Sequence, residues 1–232
     1  MGDHIVRAYD QALEHLSSDL AKMGGLAESQ VNDAITAITR RDTALAQTVI
    51  QRDAKIDAAQ KEVEKRCTSL LALRQPMAND LREVMAAWKI SSDLERVGDL
   101  AKNIAKRTLV INQSDPIQLT KSIERMGRLA AAHLKQALDA YSSREVAPAL
   151  AIWFQDEDID AHYNSLFREL LTYMMEDPRT IGPCAHLLFV AKNIERIGDH
   201  STNIAETLHY LVTGEEIASE RPKADDDRAM DT

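Results

Sequence analysis

Aromatic residues are scarce in this chain, at 4% of 232 positions. A β-sandwich draws on Tyr, Val and Thr, so the shortage argues against one, and the abundant Ala, Leu and Ile favour closely packed helices. Cysteine is almost missing: Cys67 and Cys184 are the only two. They read as reduced, buried thiols of a cytoplasmic protein rather than a disulfide framework. Positive charge is in deficit, with a net charge of −9. A nucleic-acid binder needs a basic face to replace counterions, and an anionic lipid surface would repel this chain. No run of ~18 apolar residues exists, so no membrane-spanning helix is expected. Met1-Gly2-Asp3-His4 lacks the basic and apolar regions of a signal peptide. There is no phosphate-cradling glycine loop, nucleophile elbow or dinucleotide fingerprint.

What the chain does have is an internal repeat. Glu95-Arg96-Val97-Gly98-Asp99 returns as Glu195-Arg196-Ile197-Gly198-Asp199. From Asp93 to Ala105, seven of thirteen positions equal those from Asn193 to Ala205. A shift of 103 aligns Met23-Gly24 with Met126-Gly127, Asp53 with Asp156 and Asp57 with Asp160. A repeat sets the architecture and is read first. Here it also doubles the one stretch that carries chemistry.

Apolar residues step at helical spacing nearly throughout. Ile56, Ala59, Val63, Cys67 and Leu70 form one stripe, and Ile90, Leu94, Val97, Ala101 and Ile104 another. Prolines are few, and Pro76, Pro116, Pro148, Pro178 and Pro183 mark connections or first turns. The expectation is an all-α protein of six helices, about 3–39, 43–74, 77–111, 116–142, 146–175 and 181–213. Met23-Gly24-Gly25 would bend or split the first of them. Three amphipathic helices bury one apolar core, so residues 1–112 and 113–214 should form two tandem three-helix bundles, side by side or end to end. Residues 215–232 read as a solvated acidic tail.

Glu95 and Asp99 are four apart and share a helix face, with Asn103 continuing the row; Glu195, Asp199 and Asn203 repeat it. A second pair precedes each copy: Asp53 with Asp57, and Asp156 with Asp160. The first pair centres on residue 55 and its partner on 97, equidistant from Pro76; in the second copy the turn falls between Asp177 and Pro178. Residues equidistant from an antiparallel turn lie at one height. Each hairpin should therefore gather four carboxylates, twice, an all-oxygen set suited to Mg, Mn, Ca or iron and not to zinc. The rows lie opposite the apolar stripe, so such sites would be on the surface. An acidic row there is also what a solvated helix face shows; the repetition and the matched heights favour the cation site.

Other features have structural readings. Arg96 and Arg196 pair with neighbouring carboxylates. Gly98 and Gly198 cost about 1 kcal/mol each inside a helix and imply a close helix crossing or access to backbone. Trp88 and Trp153 are core or interface anchors. Glu206-x-x-His209 is the only such motif, whereas a ferritin-like di-iron centre needs two.

The segments from Ser92 (SDLERVGDLAKNIAKR) and from Asn193 (NIERIGDHSTNIAETLHYLVTGE), with Met23-Gly24-Gly25-Leu26 and Gln75-Pro76-Met77-Ala78-Asn79-Asp80-Leu81-Arg82, resemble the PhoU family of bacterial phosphate-transport accessory proteins. The resemblance covers residues 3 to 217. It implies two three-helix bundles, often dimeric, with acidic motifs that hold Fe, Mg or Mn clusters. By position these fall on Asp53, Asp57, Glu95 and Asp99, and on Asp156, Asp160, Glu195 and Asp199. It further implies a non-enzymatic negative regulator of the phosphate-starvation response. Such a protein is cytoplasmic, peripheral to the inner membrane, and couples the phosphate ABC transporter's ATPase to a sensor histidine kinase. Asn193 stands where the first copy has Asp93, so the two sites would differ in occupancy. A carboxylate-bridged metalloenzyme and a metal-independent scaffold are the competing readings.

Overall fold

A computed structural model of the chain describes residues 2–74, 79–116 and 120–217. Six long helices make up almost all of it: α1 (Gly2–Arg40), α2 (Thr43–Arg74), α3 (Asn79–Ile111), α4 (Thr120–Ser143), α5 (Val146–Glu176) and α6 (Ile181–Thr213). Among the described residues there is no strand, and no helix is long and apolar enough to cross a membrane. α1 runs unbroken through Gly24-Gly25, so these residues do not split it. The Pro76 turn and the chain from residue 218 onward lie outside the described residues.

The helices form where the apolar spacing requires them. On α2, Val49, Ile56, Val63, Cys67 and Leu70 are buried; on α3, Ile90, Leu94, Val97, Ala101 and Ile104 are fully enclosed. Each Val, Leu or Ile among them contributes about 1.5–3 kcal/mol by leaving water. The α1–α2 and α4–α5 turns are built alike: Arg41 and Arg144, equivalent in the repeat, both take left-handed backbone, with φ of 55° and 59°. Arg41 Nη2 donates to the carbonyl oxygens of Asn112 (3.1 Å) and Ser114 (2.6 Å), closing off the end of α3. Arg144 instead pairs with Glu83 of α3, across the two halves. The α5–α6 turn is a single 3-10 turn, Pro178–Thr180, capped by Asp177, whose Oδ1 accepts from the Arg179 amide at 3.0 Å.

The two three-helix bundles stand side by side. α2 packs on α1 and α3, α5 packs on α4 and α6, and the halves meet through α1 against α4 and α3 against α6. One continuous core takes in residues of all six helices. The halves are related by a pseudo-twofold axis, visible at the α1–α4 crossing. A Cβ on Gly24 would lie 2.8 Å from Leu138 Cδ2, and one on Gly127 would lie 2.5 Å from Ile35 Cδ1. Leu138 and Ile35 are themselves repeat equivalents, so the crossing is one contact made twice. Glycine at both positions lets the helices approach.

α3 and α6 are antiparallel. His200 Nδ1 meets Asp93 Oδ1 at 2.9 Å, and one end of the pair is closed by the Arg107 guanidinium, 4.0 Å above the Phe189 ring and 3.1 Å from His186 Nδ1. The opposite end is an open groove of about 880 Å³ lined by Met85, Trp88, Trp153 and Tyr210. Trp153 is buried and donates from Nε1 to Glu206 Oε1 at 3.1 Å, so both tryptophans border the junction of the halves.

Candidate functional site

The first acidic cluster forms where α2 and α3 cross. Gly98 makes the crossing close: a Cβ there would fall 2.9 Å from Ile56 Cδ1 and 3.6 Å from Asp53 Oδ1. Asp53 of α2 therefore lies against α3 at the level of Asp99. Lys102 Nζ bridges them, bonding Asp53 Oδ2 and, at 2.5 Å, Asp99 Oδ1. From α1, Gln30 Nε2 donates to Asp53 Oδ1 (3.1 Å) and to the Gly98 carbonyl (3.2 Å). Asp53 is thus held by three helices.

The electrostatics agree with this grouping. Burial, and next the charge of Asp99, push the Glu95 carboxyl above its ordinary range; Arg96 opposes this, and Asp57 and Asp53 add to it. Glu95 and Arg96 pair loosely at 3.6 Å. For Lys102, burial works against the charge, but its bonds to Asp53 and Asp99 more than offset it and hold the ammonium well above the usual lysine range. Asp99, Asp57 and Asp53 thus all act on Glu95 through their charge.

Two features depart from the sequence-based expectation. The cluster is not wholly on the surface: Asp53 is 4% exposed. It can be buried because both carboxylate oxygens are engaged, one by an amide and one by an ammonium. The signal was in the sequence, since Asp53 follows Val49 by four and precedes Ile56 by three, which is core spacing. Gln30 and Lys102 are the two further residues that the structure adds to the cluster. Lys102 was legible as a lysine three residues after Asp99; Gln30, on a third helix, was not.

The second cluster repeats the crossing. A Cβ on Gly198 would lie 2.6 Å from Ile159 Cδ1, so Ile159, one residue before Asp160, meets α6 at Gly198. The side chain of Asp156 lies outside the described residues. A different lysine serves here: Lys192 Nζ bonds Glu195 Oε1 at 2.8 Å and lies 5.3 Å over the Tyr163 ring. The position of Lys102 is taken by Thr202 and that of Gln30 by His133, both buried. Asn103 is exposed on α3. The Asn203 amide faces the junction of the halves, 3.5 Å from Asp93 Oδ1.

Among the described residues, no three His, Cys, Asp or Glu side chains are arranged to hold a metal ion. In the first cluster the reason is on view: the space between Asp53 and Asp99 is filled by the Lys102 ammonium. The donor set remains all oxygen, the chemistry of a hard cation. Glu206 Oε1 accepts from Trp153 Nε1, and His209 Nδ1 lies 3.0 Å from the Glu215 carbonyl oxygen.

A family model described as the PhoU domain matches residues 20–108 and 123–208, one segment in each bundle. The chain is 57% identical over 226 residues to a phosphate-specific transport system accessory protein PhoU homolog from Caulobacter vibrioides, covering 97% of this chain and 98% of that one. A homolog of the same description from Rhizobium meliloti is 52% identical over 223 residues, 96% of this chain and 94% of the other. Among solved structures, PhoU from Pseudomonas aeruginosa superposes with a TM-score of 0.87 at 38% identity, covering 89% of this chain and all of that one. PhoU from Streptococcus pneumoniae superposes at 0.84 with 32% identity, covering 90% of this chain and 99% of the other.

Proposed function

We propose a function that proceeds from one premise: this chain belongs to the PhoU family, matched along both of its bundles. Its relatives are described as accessory proteins of the phosphate-specific transport system. In our reading, this chain restrains phosphate uptake and the phosphate-starvation response without catalysing a reaction. It does so as an adaptor at the cytoplasmic side of the inner membrane. Its helical faces dock the ATPase of the phosphate ABC transporter and a sensor histidine kinase when phosphate is plentiful, and it works as a homodimer.

The observation that carries this reading is the near full-length match to transport accessory proteins, joined to a fold that offers long helical faces. Metal ions of the Mg, Mn or Fe type would bind at the acidic clusters. They would neutralise carboxylates that face one another across α2–α3 and α5–α6, stapling two helices per bundle and changing the charge of the docking surface. The residues concerned are Asp53, Asp57, Glu95 and Asp99 in the first half and Asp156, Asp160, Glu195 and Asp199 in the second.

The test is co-purification. A tagged chain drawn from phosphate-replete cells should bring down the transporter ATPase and the sensor kinase, and a chelator should weaken both. Capture of neither partner contradicts the adaptor role; capture that ignores the chelator contradicts the part given to metal.

A further inference from the structure

α2 and α5 hold the same place in the repeat and carry different outer faces. On α5, Leu171 is 40% exposed, with Phe167 four residues before it at 39% and Met175 four after it at 85%. Spacing of four keeps the three along one side of the helix. Ile181, which opens α6 beyond the turn, is a further exposed apolar side chain. The repeat supplies the comparison. A shift of 103 sets the buried Leu166 and Leu170 on the buried Val63 and Cys67, so it holds along this stretch. The same shift sets Phe167, Leu171 and Met175 on Glu64, Thr68 and Ala72. The fold therefore accepts polar or small residues at these places, and packing within the bundle does not account for the apolar stripe. Large apolar groups in a row on a surface favour being covered.

The stripe is suited to meet itself, because it is symmetric about Leu171. In an antiparallel contact with α5 of a second copy, centred there, Leu171 faces Leu171 and each Phe167 faces the other copy's Met175. The charges agree with this. Arg168 and Glu176 are exposed, and neither has an ion-pair partner among the described residues. Eight residues apart on one helix, they lie about 12 Å from each other along its axis and do not pair. The antiparallel contact sets each Arg168 within about 3 Å in height of the other copy's Glu176. A parallel contact would set Arg168 on Arg168 and Glu176 on Glu176.

We infer that the Phe167–Leu171–Met175 stripe joins two copies of this chain, α5 against α5, antiparallel about a twofold axis at Leu171. The second bundles then form the centre of the dimer and the first bundles its ends, with the outer face of α2 left open. This rests on the homodimer proposed above and names the face that forms it.

The test measures the mass of the full chain by light scattering after size-exclusion chromatography at micromolar concentration. Wild type should have twice the mass of one chain, and Leu171→Asp the mass of one, with its helical circular dichroism retained. Thr68→Asp, at the equivalent place on α2, should stay dimeric. Cross-linking reads the register. Cys67 and Cys184 are buried and free, so Leu171→Cys adds one exposed thiol, and mild oxidation should join two such chains through it. Thr68→Cys should not cross-link. Phe167→Cys and Met175→Cys should cross-link with each other when mixed and not when alone. A monomeric wild type overturns the homodimer and the inference together, and leaves the stripe to a different protein. A wild-type dimer that survives Leu171→Asp, or one whose Leu171→Cys form does not cross-link, overturns this face while the homodimer stands.

Discussion

Replacing Gly127 with Ala should destabilise the protein by about 2 kcal/mol. The added Cβ would lie 2.5 Å from Cδ1, 2.8 Å from Cγ1 and 2.9 Å from Cγ2 of Ile35. A single offending Cδ1 could rotate away. Cγ1 and Cγ2 both branch from the Ile35 Cβ, so relief for one atom drives another inward, and α1 must move from α4. Overpacking of this kind costs up to about 3 kcal/mol. Better helix propensity returns about 1 kcal/mol. For a chain of this length the net loss should lower the melting temperature by about 4–8 °C. Gly25, one residue from the pseudo-equivalent crossing, has nothing within 4 Å of its built Cβ. Gly25→Ala should therefore raise melting by about 2–4 °C from propensity alone. Thermal unfolding followed by circular dichroism reads both. The contact itself is isolated by repeating Gly127→Ala in an Ile35→Ala background, where the clash is gone and the substitution should be neutral or stabilising, with a coupling of at least about 1 kcal/mol. A Gly127→Ala protein as stable as wild type, or one equally destabilised in both backgrounds, refutes the side-by-side packing at this crossing.

Glu95→Gln should stabilise the protein at pH 7. Burial and then Asp99 raise the native carboxyl above its unfolded value, so the favourable contribution of this group is present below the unfolded pKa and lost as pH rises through the native one. The gain in melting temperature on substitution should thus shrink as pH falls toward 4, and a gain constant across pH contradicts the crowding of carboxylates. The Cys67 thiol, enclosed in the core and pushed up to about 11 by burial, should resist a thiol reagent at pH 8 until the protein unfolds; prompt labelling of native Cys67 would contradict its burial. Arg107→Ala should cost about 0.5–1 kcal/mol through the lost contact with the Phe189 ring, measured by denaturant unfolding, and an unchanged midpoint would count against that contact holding α3 to α6.

Much of this molecule is legible in the order of its residues. The stripes of Ile56–Leu70 and Ile90–Ile104 give the helices, because a core-facing side chain must recur with the helical period. The heights of Asp53 and Asp99 follow from an antiparallel hairpin, which needs no knowledge of a third helix. What was hidden depends on that third helix and on the other half. Gln30 reaches Asp53 only because of how α1 leans on α2 and α3, and hairpin arithmetic says nothing about that register. The α1–α4 crossing was written in Gly24 and Gly127, yet a glycine in a helix could equally have meant a bend. The charge of Asp53 points to the surface, whereas its position in the Val49–Ile56 stripe points to the core, and the structure follows the stripe. Local charge sets a residue's preference, and the partners folding brings to it decide whether it can be buried.

The role proposed for this chain is to hold the phosphate-starvation response off when phosphate is abundant. It is tested most directly by measuring transcripts of phosphate-starvation genes in phosphate-replete cells with the coding sequence deleted and then restored in trans. They should rise sharply on deletion and return to the repressed level on complementation. Transcript levels unchanged by deletion would contradict it.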